Sequence, residues 1–98
     1  MKTALGIVEV VGSARSVLAA DIMLKISDVE YVSREHFAVG RVTTFVQGDV
    51  AAVTVAVEAV VKSPECDVYA SCIIANPHAE TKKLLMQSVE KNKRLHKE

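Results

Sequence analysis

An α+β fold is predicted for this chain: a βαββαβ sandwich on an antiparallel four-stranded sheet, followed by a C-terminal helix. Three observations predict it. The hydrophobic pattern changes along the 98 residues in the order strand, helix, strand, strand, helix, strand. A tight turn at Phe37-Ala38-Val39-Gly40 joins two of those strands directly, which makes them an antiparallel hairpin. Half of the residues (50%) are hydrophobic, enough for a packed core and too many for a disordered chain.

Leu5 to Val11 is β-branched and aliphatic and ends at Gly12, so it reads as a buried strand. Ser13 is the expected N-cap of a helix whose apolar face is Ala14, Val17, Leu18, Ile22 and Ile26. Ser27-Asp28 ends it. Val29 to His36 and Arg41 to Gln47 form the hairpin strands around the Phe37-to-Gly40 turn. In the next segment Val53, Val55 and Val57 alternate as in a strand, while Val50, Val53, Val57, Val60 and Val61 mark one face of a helix. The unbroken length decides for helix, with Asp49 after Gly48 as N-cap and Ser63-Pro64 as the stop. Asp67 to Ala75 is apolar on both faces and reads as a central strand ending at Asn76-Pro77. From Ala79 a stripe of Leu84, Leu85 and Val89 predicts a C-terminal helix that frays near Arg94 to Glu98. This is the split-βαβ, ferredoxin-like order. It is read as a single domain over residues 1–98, with a core at about 4–86 and the C-terminal helix and tail at about 79–98.

Composition limits the function. Twelve basic and twelve acidic residues cancel, so no global field draws nucleic acid or an anionic membrane. Apart from Tyr31, Phe37, Phe45 and Tyr69 the apolar content is aliphatic, with no Trp; so much of it in a small domain suggests burial against other subunits. Cys66 and Cys72 match no common zinc spacing and read as reduced structural thiols, Cys72 in the core. Glu9 interrupts the apolar run after Lys2, leaving it too short for a secretion signal, and no stretch approaches the roughly 18 apolar residues of a membrane span. Cytoplasm is the expected location.

Three stretches in this order, Ala4-Leu5-Gly6-Ile7-Val8-Glu9-Val10, Ala19-Ala20-Asp21-Ile22-Met23-Leu24-Lys25 and Gly40-Arg41-Val42-Thr43-Thr44-Phe45-Val46-Gln47-Gly48-Asp49-Val50-Ala51-Ala52-Val53, resemble the bacterial microcompartment shell proteins. The resemblance covers roughly residues 4–86. It implies the single-domain class that forms homohexamers, flat tiles closed by head-to-tail contacts. Such tiles join laterally, alongside other shell proteins, into a shell around encapsulated enzymes, with a central pore for small metabolites. It implies no cofactor, no nucleic acid and no membrane among its partners.

By the same resemblance, Lys25 occupies the place of the family's tile-edge lysine, although any lysine near a helix C-terminus is favourable in itself. Asn76-Pro77-His78 corresponds to the family's edge Arg-Pro-His. Here Asn76 replaces a planar multidonor cation with a short neutral amide, so lateral association is either weaker or made by another group. The turn at Phe37, Ala38, Val39 and Gly40 corresponds to the pore loop, with His36 beside it. Relatives commonly expose Gly and Ser there; apolar side chains would narrow and dehydrate an opening. His36 would add a weakly pH-sensitive positive ring if it faces the axis. Phe37 has two open readings, toward the pore or tucked into the subunit interface. The loop has no Cys for an iron–sulfur cluster, and His78 has no second ligand at metal spacing.

Two other classes compete. A ferredoxin-like oligomeric regulator binding a small ligand would share the fold, but no Gly-rich phosphate loop or paired-Arg cluster is visible. An RNA-binding version lacks paired aromatics for stacking on Arg41 to Val46. An enzyme would need a nucleophile–base pair, and the three His and two Cys form no spaced constellation.

Overall fold

Alternation along the first strand decides which side of the sheet the helices cover. In the computed structural model, which describes residues 3–78 apart from the side chains of residues 37 and 38, Val8 and Val10 of β1 (Ala4–Val11) are fully buried. Gly6 lies on the same face, and a Cβ there would sit 2.8 Å from Val53 Cγ1 and 3.0 Å from Val46 and Val57. Two of those valines belong to α2 (Val50–Val61). The missing side chain is therefore what lets the second helix lie close on the sheet.

The remaining elements are α1 (Ser13–Ile26), β2 (Glu30–Ala38), β3 (Arg41–Gly48) and β4 (Val68–Ile74). All neighbouring pairs are antiparallel, in the order β2-β3-β1-β4. The predicted α+β class and element order are what is observed. The expected C-terminal helix from Ala79, and the part of the 4–86 core beyond residue 78, lie outside the described residues.

Several local expectations are corrected. β4 is an edge strand, not a central one, and its residues from Tyr69 to Ile73 are exposed. Cys72, expected in the core, is exposed with them, whereas Cys66 is buried. An apolar run says that a strand avoids water, but not whether its own chain or another molecule covers it. The strand β2 extends through Ala38, so the connection to β3 is the two residues Val39-Gly40 rather than four.

The buried face of α1 is rotated from the expected one, whereas α2 buries Val53, Val57 and Val60 as expected and departs only at its ends. On α1 the buried residues are Ser16, Ala19 and Met23, with Leu18 and Ile22 only partly buried and Ala14, Val17 and Ile26 exposed. Ser16 tolerates burial because its hydroxyl donates to the Ser13 carbonyl at 2.7 Å and accepts from Arg34 at 3.2 Å. On α2 the buried set is Val53, Ala56, Val57 and Val60; Val50 and Val61 are exposed. Ser16 and Ala19 on α1 and Ala56 on α2 are small residues within those buried faces, which counting large apolar positions misses.

The N-cap of α1 is Gly12 rather than Ser13. Asp49 is the N-cap of α2 as expected, in an extended conformation, although neither cap makes a side-chain hydrogen bond. No helix among the described residues is long and apolar enough to cross a membrane.

Candidate functional site

Strand register places the candidate residues at two opposite ends of the sheet. At one end Val11 faces Arg41 and Ala38 faces Arg41, so the β1–α1 junction and the β2–β3 turn lie together. At the other end Ala4 faces Gly48, Glu30 faces Gln47 and Leu5 faces Ile74. There the end of α1, the start of α2 and the end of β4 meet. A strand of eight residues separates them by about 25 Å at the usual strand rise. His36 to Gly40 belongs to the turn end. Lys25 and Asn76 to His78 belong to the other.

At the turn end the backbone does most of the shaping. Gly40 has φ +76° and Gly12 has φ +92°, and a Cβ at either would meet nothing. Glycine is required by the torsion, not by lack of space. The Gly12 N–H donates to the Gly40 carbonyl at 2.8 Å, tying the turn to the start of α1. The β2–β3 register slips between Glu35 and Ala38, where β2 carries one more residue than β3. Such a bulge increases twist and re-aims the hairpin tip. The tip presents Val39, whose side chain is fully exposed, with His36 exposed behind it.

One contact here was not anticipated from the sequence. The Arg41 guanidinium carbon lies 4.2 Å from the centroid of the Tyr69 ring. Arg41 and Tyr69 are on strands β3 and β4, with β1 between them, so the arginine reaches across the last residues of β1 to stack. Register also slips between Glu9 and Val10 in the β1–β4 pairing, so Tyr69 falls between paired residues. Nothing in the periodicity of either strand marks these two residues as partners.

At the other end side chains matter more. Lys25 is in the last turn of α1, where a cation complements the helix dipole. It is already engaged: its Nζ is 2.9 Å from Asp21 Oδ2, one turn earlier, with the lysine side chain 76% exposed. The Ser27 hydroxyl donates to the Ala52 carbonyl at 2.7 Å, joining the end of α1 to the first turns of α2. Asn76 has φ +64°, a left-handed conformation that Asn tolerates better than most side chains. Pro77 is buried, while Asn76 and His78 are exposed.

Beside them is a shallow cavity of about 200 Å³ lined by Thr3, Asp28, Glu30, Gln47, Gly48 and Asp49. Its clearest internal contact is a hydrogen bond from Gln47 Nε2 to Glu30 Oε2 at 3.1 Å. Among the described residues no group of three His, Cys, Asp or Glu is placed to hold a metal ion. On the adjoining part of β2, loss of hydration on burial pushes the Tyr31 phenol above its ordinary value, opposed by the Arg34 charge and aided by that of Glu35.

Comparison with known proteins bears on what two such ends are for. A family model described as "BMC domain" matches residues 4–77. The chain is 38% identical over 87 residues to the probable carboxysome shell protein CsoS1E of Prochlorococcus marinus, covering 84% of this chain and 42% of that one. It is 36% identical over 88 residues to the bacterial microcompartment shell protein PduA of Citrobacter freundii, covering 88% of this chain and 95% of that one. Among solved structures, a microcompartment protein from Desulfitobacterium hafniense superposes with a TM-score of 0.71 at 32% identity, covering 81% of this chain. The chain thus spans less than half the length of the Prochlorococcus protein (42%) and of the Desulfitobacterium chain (44%), and nearly all of the Citrobacter protein.

Proposed function

The chain belongs to the BMC-domain family of microcompartment shell proteins, and from that premise we propose that it forms cyclic hexamers that tile laterally into a bacterial microcompartment shell. Its role is structural rather than catalytic. In each ring the turn end surrounds the axis, so that His36 to Gly40 line a pore for small metabolites. The opposite end, with Lys25, Asn76 and His78, lies at the perimeter, where tiles of this chain and of other shell proteins meet around the enclosed enzymes.

The observation that carries this reading is the separation of the two ends by one strand length in a chain that leaves large apolar residues exposed on both helices and on β4. Val17 and Ile26 on α1, Val50 and Val61 on α2, and Tyr69 and Ile73 on β4 are large apolar residues left exposed. A ring uses two different surfaces of each copy and covers both. The regulatory-ligand reading draws less support. The described cavity is shallow and its charged lining is the three carboxylates Asp28, Glu30 and Asp49, with no cationic donor to hold an anionic ligand.

Native mass spectrometry at micromolar concentration is expected to show six copies; monomer or dimer alone would remove the reading. Lys25→Glu leaves Asp21 facing a like charge, which costs the chain less than about 1 kcal/mol. It is expected to abolish sheets in electron micrographs while hexamers persist. Unchanged sheets would show that Lys25 is not an edge contact.

A further inference from the structure

We propose that Asp21 restrains lateral assembly by holding Lys25 back from the perimeter, so that each tile must break this ion pair as it joins a sheet. The inference rests on the reading of Lys25 as an edge contact, and it adds a residue to which that reading gives no part. The helix α1 runs from the turn end, where Gly12 is tied to Gly40, to the opposite end, where Ser27 is tied to Ala52. Lys25 Nζ lies 2.9 Å from Asp21 Oδ2. That carboxylate stands one turn, about 5.4 Å, nearer the helix start. The pair therefore draws the ammonium back along α1, away from the end that meets a neighbour.

Asp28, Glu30 and Asp49 are the other described carboxylates of this end; they line the shallow cavity, and the ion pair of Lys25 is with Asp21. Both side chains of the pair are well exposed, 76% for Lys25 and 53% for Asp21, so the contact is weak and breaks without disturbing the helix. A pair at this spacing shifts an equilibrium by only about twofold. For one chain that is negligible. A ring repeats the pair in six copies, and a tile that settles into a sheet engages its whole perimeter. Independent contributions multiply, which raises the factor to about sixtyfold per tile. Symmetry turns a minor surface contact into a threshold for assembly.

The test is the concentration of hexamers at which sheets appear, read by light scattering, with electron microscopy to identify them. Each variant is first checked for hexamers by native mass spectrometry. Asp21→Asn keeps the shape of the side chain and removes its charge, and is expected to lower that concentration about tenfold or more. Asp21→Glu still pairs with Lys25 at the same spacing and should stay within about threefold of the wild type. Asp28→Asn removes a carboxylate from the same end but not from the pair, and should also stay within about threefold. Asp21→Ser removes the same charge and replaces Asp21→Asn if that variant forms no hexamers.

An unchanged or raised threshold in Asp21→Asn overturns the inference, while wild-type sheets leave the lateral reading standing. An equal fall in Asp28→Asn overturns it too, because the effect would then belong to net charge and not to the pair. An equal fall in Asp21→Glu does the same. Sheets formed by Asp21→Asn and not by the wild type support it outright. Hexamers that form no sheets in the wild type or in any variant remove the lateral reading itself, and the inference with it.

Discussion

The two ends of the sheet are built on different principles. At the turn end two positive-φ glycines and one backbone hydrogen bond fix the path of the chain. Val39 and His36 then project from it exposed, so their identity is free to vary without disturbing the fold. At the opposite end Lys25 is already engaged with Asp21, and the path past Asn76 depends on that residue's tolerance of a left-handed torsion. An edge contact made by Lys25 must therefore compete with an ion pair inside its own helix. The lesson is that the turn end can be retuned by side chains alone, whereas the opposite end is coupled to the stability of the elements that carry it.

The strongest way to break the comparison is to remove what joins the ends. Gly6→Val drives a side chain into Val46, Val53 and Val57 and is expected to cost about 2–3 kcal/mol, the upper part of the range for overpacking. Urea denaturation should register it, with rings and sheets lost together. A midpoint like that of the wild type would show that α2 can move off the sheet.

Equal strain placed at each end sharpens the contrast. Gly40→Val and Asn76→Val both force a β-branched residue to positive φ, and each is expected to cost about 1–2 kcal/mol in thermal melts. Asn76→Gly should change stability by no more than about 0.5 kcal/mol. Assembly is expected to separate the pair, with Gly40→Val altering passage through the ring and Asn76→Val altering sheets. A single shared defect in both variants would argue against two functional ends.

The smallest effect concerns Tyr31. Its pKa is raised from 10.0 in the folded chain, so the unfolded chain loses the phenolic proton first as pH climbs. The associated stability is complete below pH 10.0 and is lost as pH rises through the folded value. A tyrosinate absorbance titration in a Tyr69→Phe background isolates this group. A midpoint at or below the ordinary value would contradict the burial that causes the shift.

Much of the fold was legible from local chemistry. The break after Gly12, the short hairpin at Gly40 and the stop at Ser63-Pro64 each reflect a torsion or a lost donor that acts within a few residues. The two candidate segments, His36 to Gly40 and Asn76 to His78, could be named from the sequence because each is contiguous. The Arg41–Tyr69 stack was not, because it joins strands β3 and β4 across β1. Nor was the burial of Ser16, which depends on Arg34 arriving from another strand.

By itself, then, the sequence determined the order and kind of the elements, the positions where the backbone must turn, and the absence of a strong net charge. These follow from side-chain period, torsional preference and composition, all of which are local or additive. Only the tertiary structure decided that β4 lies at an edge, that Ser16, Ala19 and Met23 rather than Val17 and Ile26 face the core from α1, and that Tyr69 meets Arg41. Those outcomes depend on which surfaces come together in space. An apolar residue specifies only that it leaves water, and packing chooses the neighbour.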